Sequence, residues 1–141
     1  MVDMNHNRPI NVERIKNLLA NAQNNFADAN LPGQSKARAM DAAYDVAFCC
    51  AMALGEATRR VPEKGVQGQH EEILSTMVDV LQMPQASDML NVMRKFRHSF
   101  KYDGNQLVNE KTFKDSQHWA KRILGETADW FEKNRPNIFK T

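Results

Sequence analysis

Between Ile15 and Phe131 apolar side chains return every three or four residues, and no stretch alternates with the period of two that a half-buried strand requires. The stretches LPG (31–33), VPEKGVQG (61–68), YDGNQLVN (102–109) and the residues Pro84 and Pro136 cut this pattern into five segments of helical length. The pattern predicts an all-α fold, an antiparallel bundle of five helices with mostly short loops. Residues 1–9 read as a flexible tail, 10–135 as one helical domain and 136–141 as a second tail.

The first segment, residues 10–30, carries Ile15, Leu18, Leu19, Ala22 and Phe26 at helical spacing, with Asn11 as its N-cap. The second starts near Gln34 or Ser35 and runs to about Arg60. Its inward stripe is Met40, Ala43, Val46, Ala47, Cys50, Ala53 and Leu54, small enough for a partner helix to approach closely. The third, 69–83, turns Ile73, Leu74, Met77, Val80 and Leu81 inward. The fourth, 85–102, turns in Met89, Leu90, Met93, Phe96 and Phe100 and ends at Gly104, whose freedom at positive φ suits a C-cap. The fifth, about 110–134, presents Phe113, Ala120, Ile123, Leu124, Thr127 and Phe131, with Trp119 and Trp130 expected to pack on the core rather than at an interface.

A chain of 141 residues can bury a core without a metal or disulfide staple. Net charge is only +2, so any basic function must be local. Cys49 and Cys50 are adjacent on one helix, point about 100° apart and are expected to be two buried thiols. The histidines lack HxxxH or HExxH spacing, and there is neither a Gly-rich phosphate loop nor a GxSxG turn. No metal, cofactor or nucleophilic residue is therefore expected. No apolar run reaches the ~20 residues of a membrane span, and the polar opening MVDMNHNRP is unlike a signal peptide. The expected location is the cytoplasm, with no membrane partner.

The local charge lies on the fourth helix. On a wheel at 100° per residue, Met89, Met93, Phe96 and Phe100 fall within about 60° of one another. Arg94, Arg97, His98 and Lys101 form a second stripe beside them, with Arg97 nearest the apolar edge. No acidic residue four positions away relieves Arg94, Arg97 or Lys101, and like charges at this spacing repel. Either acids from a neighbouring helix or an anionic ligand must compensate. Elsewhere, His70 opens the third helix as a cap, a helix contact or a site residue, His118 reads as a surface histidine, and His6 lies in the tail.

Three stretches carry a family resemblance. AAYDVAFCCAMALGEA (42–57) is similar to the second helix of HEPN-domain proteins, GQHEEIL (68–74) to the opening of their third, and RHSFKYDG (97–104) to the motif near the end of their fourth. The resemblance spans about residues 12–131. It implies a four- or five-helix up-and-down bundle that commonly dimerises. It also implies one of three activities: a metal-independent RNA endonuclease, a toxin paired with a nucleotidyltransferase-type antitoxin protein, or a non-catalytic binding module. In active members an Arg is followed, after four to six residues, by a His. The Arg holds the scissile phosphate and the His moves a proton at the ribose 2′-hydroxyl, with two motif copies meeting across a dimer. Here Arg97 is in place, but Tyr102 stands where the His belongs, and His98 occupies a slot often held by Asn. A tyrosine with an ordinary pKa near 10 is a poor base at neutral pH, although in related toxins a motif tyrosine can be a nucleotidylation target.

The resemblance thus implies a homodimer that binds RNA or a nucleotide phosphate through Arg94, Arg97, His98 and Lys101, in a toxin–antitoxin or defence pair, with weak or no catalysis. One alternative is a ribonuclease using Arg97 with His98 or Tyr102. The other is a protein-interaction bundle whose basic helix meets an acidic surface.

Overall fold

The structure is a computed structural model that describes residues 2–3, 9–62 and 68–139. His6 and most of the 61–68 connection lie outside the described residues. Within them are five α-helices: α1 (Val12–Ala29), α2 (Lys36–Ala57), α3 (Gln69–Leu81), α4 (Ser87–Asp103) and α5 (Glu110–Asn134). The all-α bundle expected from the periodicity is what the chain forms. One small feature has no helical origin, an antiparallel pairing of β1 (Val2–Asp3) with β2 (Val61–Pro62).

The helix starts follow from their caps. Asn11 Oδ1 accepts from the Arg14 N–H at 2.9 Å, Ser35 Oγ from Arg38 N–H at 3.2 Å, and Asn109 Oδ1 from Thr112 N–H at 2.8 Å. Pro84 begins a single 3-10 turn, Pro84–Ala86, that leads directly into α4. Two helix ends close in the Schellman pattern. At the end of α2, the Arg60 N–H donates to the Gly55 carbonyl and the Arg59 N–H to that of Glu56. At the end of α3, the Met83 N–H donates to Val78 and the Gln82 N–H to Asp79. Both left-handed positions are filled by residues other than glycine, Arg59 at φ 59° and Gln82 at φ 53°.

α2 packs against each of the other four helices. All seven residues of its expected stripe are buried, and so are Ala37, Ala39, Tyr44, Ala51, Gly55, Glu56 and Ala57 around them. The helix is thus enclosed on most of its circumference, more than a one-sided stripe predicts. Every other helix sends a large side chain toward it: Ile15, Met77, Met93, Ile123 and Phe131 are all fully buried. Several expected inward residues are only half-buried at the margin of this core, including Leu19, Phe26, Val80, Leu81, Phe113 and Leu124. Trp119 and Trp130 also lie half-buried against it. Pro136 does end α5, but the chain beyond it turns back as Pro136–Phe139 and buries Ile138.

The largest departure is the roll of α4. Leu90 and Met93 are its buried residues, whereas Met89, Phe96 and Phe100 are half-buried. With Met89 at 0°, Met93 lies at about 40°, Arg97 at about 80° and Leu90 at about 100°. The inward direction therefore runs close to Arg97 rather than along the phenylalanine side.

Two backbone substitutions at the helix ends should have opposite signs. Gln82→Gly relieves a left-handed residue and should leave stability unchanged or raise it by up to about 1 kcal/mol. Gly55→Ala should destabilise by about 1–3 kcal/mol, because its Cβ would sit 2.8 Å from the Arg60 carbonyl oxygen. Urea unfolding of both variants checks the pair.

Candidate functional site

The roll of α4 brings its basic stripe over α2. Arg97 Nη1 donates to Asp45 Oδ1 and lies 3.5 Å from Asp41 Oδ1, while Lys101 Nζ lies 3.3 Å from Asp41 Oδ2. Arg94 Nη2 lies 3.3 Å from Glu71 on α3 and donates to Asn91 Oδ1 at 2.9 Å. The compensation that α4 lacks within itself is thus supplied by acids of neighbouring helices. Arg97 is not the unengaged guanidinium that a purely ligand-facing role would present. All its contacts to acids run through Nη1, and its guanidinium also lies over the Tyr44 ring, 5.3 Å from the centroid.

On the other side of these cations is a cleft of about 360 Å³, within the roughly 300–1,000 Å³ of small-ligand sites. Arg94, Arg97, His98, Lys101 and Tyr102 all line it, so every site residue named from the sequence converges there. His98 is included although it lies 100° round the helix from Arg97. It approaches Tyr102, four residues on, with ring centroids 4.8 Å apart. Tyr102 is 77% exposed.

Two further residues line the cleft, Tyr44 from α2 and His70 from α3. Tyr44 carried no site signal in the sequence, because only the fold brings position 44 beneath position 97. His70 was one of several isolated histidines until α3 placed it here. Phe48 links the two: its ring centroid is 6.0 Å from that of Tyr44 and 4.5 Å from that of His70. Among the described residues no carboxylate lines this cleft. Asp41 and Asp45 face a separate depression of about 520 Å³ beside α1, which Lys101 also lines, and Glu71 one between α3 and α4. The acids therefore hold the cations from behind, and the cleft wall consists of hydrogen-bond donors and aromatic rings.

Burial pushes the Tyr44 phenol above its ordinary 10, against the pull of Arg97, so it is a protonated donor at neutral pH. Burial likewise raises the Asp45 carboxyl, and Arg97 only partly offsets this. Burial raises Cys49 and pushes Cys50 up to about 12. The two are free thiols, Cys50 buried as expected and Cys49 only half-buried. His118 is exposed, edge-on to Trp119. Among the described residues no group of three or more His, Cys, Asp or Glu side chains is placed to hold a metal ion. No helix among them is long and apolar enough to cross a membrane.

Compared with family models, with curated proteins and with solved structures, the chain matches none.

The charge pairing is asymmetric. Arg97→Met leaves two partly buried carboxylates facing no guanidinium and should cost about 1–3 kcal/mol at pH 7. Asp45→Asn should cost less than about 1 kcal/mol, since Arg97 retains Asp41. Because the folded Asp45 carboxyl titrates above its unfolded value, the stability linked to it is fully present below the ordinary aspartate range. That stability is lost as pH rises through the folded value. The penalty of Arg97→Met should therefore shrink at acid pH, where a protonated Asp45 no longer needs the cation. Unfolding curves at pH 7 and pH 4 measure both effects.

Proposed function

We propose that this chain is a HEPN-like helical protein that binds RNA or a nucleotide phosphate in the cleft between α4, α2 and α3. On this reading it works as a homodimer in the cytoplasm, within a toxin–antitoxin or defence pair. The observation that carries the proposal is the lining of the cleft. Three cations, two imidazoles and two phenols meet there, and among the described residues the acids paired with those cations are not part of the lining. Charged donors fixed in advance, with exposed aromatic rings beside them, are what recognition of phosphate and base requires. With Tyr102 in place of the motif histidine, the expected catalysis is weak or absent.

One observation favours the ribonuclease reading. His70 and His98 both line the cleft that holds Arg97, and cleavage by a neighbouring 2′-hydroxyl needs only a group to take the proton and a group to return one. The pairing of Arg97 with Asp41 and Asp45 favours the third reading instead, an interaction bundle in which the basic stripe serves the fold.

Binding and cleavage of a labelled single-stranded RNA separate the three. Arg97→Ala should weaken binding about tenfold or more and reduce the slope of log K against log salt by about one. Cleavage by the parent that disappears in Arg97→Ala and in His70→Ala would establish the ribonuclease. If Arg97→Ala binds RNA and nucleotides as the parent does, the site is wrong and the interaction bundle stands.

The dimer has a separate check. Tyr102 on α4 and Leu107 just after it are largely exposed, and Val92 is exposed one face round. Sedimentation at micromolar concentration should show twice the 16.1 kDa of the chain, and a single species at the mass of one chain would rule the dimer out.

A further inference from the structure

Arg97 meets two demands through different nitrogens. It lines the cleft beside Arg94 and Lys101. Its acid contacts among the described residues all fall on Nη1, which donates to Asp45 Oδ1 and lies 3.5 Å from Asp41 Oδ1. The guanidinium also lies over the Tyr44 ring. None of these acid contacts engages Nε or Nη2, and a guanidinium carries donors on all three nitrogens.

Asp41 and Asp45 stand one turn apart on α2, as Arg97 and Lys101 do on α4, and Asp41 Oδ2 also faces the Lys101 ammonium at 3.3 Å. The two aspartate side chains are 15% and 33% exposed, against 65% for Glu71, the acid that pairs with Arg94. A sheltered carboxylate fixes its partner, whereas an exposed one is screened by water and fixes little. Toward an anion in the cleft the aspartates act in two opposed ways. As charges they repel it. As anchors they order the guanidinium during folding, so that binding does not have to. Arginine suits this double duty. A lysine ammonium has a single nitrogen, which an acid and a ligand must share.

We infer that Asp45 and Asp41 are positioning residues for the ligand of the cleft: they hold Arg97 by Nη1, its Nε and Nη2 donate to the phosphate oxygens, and the gain from anchoring exceeds the repulsion. Neither aspartate lines the cleft, so both act through Arg97. This rests on the phosphate-binding reading above and adds to it the two residues that set how firmly a phosphate is held.

The test is equilibrium binding of the full chain to a labelled single-stranded RNA at neutral pH, and its strength lies in the sign of the effect. Asp45→Asn removes a negative charge near a polyanion, which on charge alone strengthens binding. The expected result is the opposite, a loss of about threefold or more. Glu71→Gln removes an exposed acid beside the same cleft and should leave binding unchanged or tighter. Arg97→Lys keeps the charge yet should weaken binding about fivefold or more. In that background the sign should reverse, with Asp45→Asn tightening binding about twofold or more, because the acid there competes with the ligand for one nitrogen. A purely structural role for Asp45 produces no such reversal. The inference is overturned if Asp45→Asn binds RNA as tightly as the parent or more tightly. It is also overturned if Asp45→Asn loses the same factor in both backgrounds, or if Glu71→Gln loses as much. Where Arg97→Ala still weakens binding, those outcomes leave the phosphate-binding reading standing. Absence of RNA binding by the parent overturns both. Should Asp45→Asn fail to fold by circular dichroism, Arg97→Lys alone decides: a loss supports the inference, and binding equal to that of the parent overturns it.

Discussion

The enclosure of α2 governs the rest of the molecule. A helix made largely of alanine, with glycine and cysteine, lets its neighbours approach closely, and α2 is touched by all four of them. That arrangement has an electrostatic consequence. Asp41, Asp45 and the buried Glu56 share the helix with thirteen other buried residues, and a carboxylate near a core needs partners. Glu56 accepts from the Asn11 N–H at 3.1 Å and faces Arg14, so the entry of α1 is fixed to the end of α2. Asp41 and Asp45 draw on Arg97 and Lys101. The basic stripe of α4 is thus partly an answer to the acids of α2, and the same attraction orients α4.

That attraction explains why the roll of α4 could be read only in part from its own residues, which place Arg97 half-buried at the apolar edge but do not foresee the partial exposure of Phe96 and Phe100. A wheel built on apolar side chains alone points the helix at Phe96 and Phe100. The structure gives up full burial of those two rings, which stack on each other at 5.9 Å, and turns Arg97 toward the seam. The information that decides this sits at positions 41 and 45, more than fifty residues away, and periodicity within a segment cannot carry it. Helix bounds, by contrast, were legible because their causes are local: Asn11, Ser35 and Asn109 cap starts, and Gly104 at φ 69° ends α4.

The site was legible to the same extent and for the same reason. Its five α4 residues share one helical face and so appear together in the sequence. Tyr44 and His70 reach the cleft from two other helices and announce nothing by spacing. The small ordered pieces at the ends of the chain were hidden in a similar way. Pairing of Val2–Asp3 with Val61–Pro62, and the return of Ile138 to the core, depend on surfaces that exist only once the bundle is built.

Acids placed behind a row of cations have two opposing effects on an anion in front. They cancel part of the attraction at a distance, which accords with a net charge of only +2. They also restrict the side chains. An arginine carries about 2 kcal/mol of rotamer entropy, and holding Arg97 through one nitrogen and the face of Tyr44 removes much of it during folding rather than on binding. Its Nε and Nη2 remain as donors with geometry already set. A surface of free lysines would attract any polyanion and discriminate poorly among them. A row of cations restrained from behind attracts weakly and selects by fit. The carboxylates that stabilise the packing of α4 are therefore not evidence against a ligand in the cleft, because the same contacts that satisfy the acids of α2 set the donor positions a ligand would have to match.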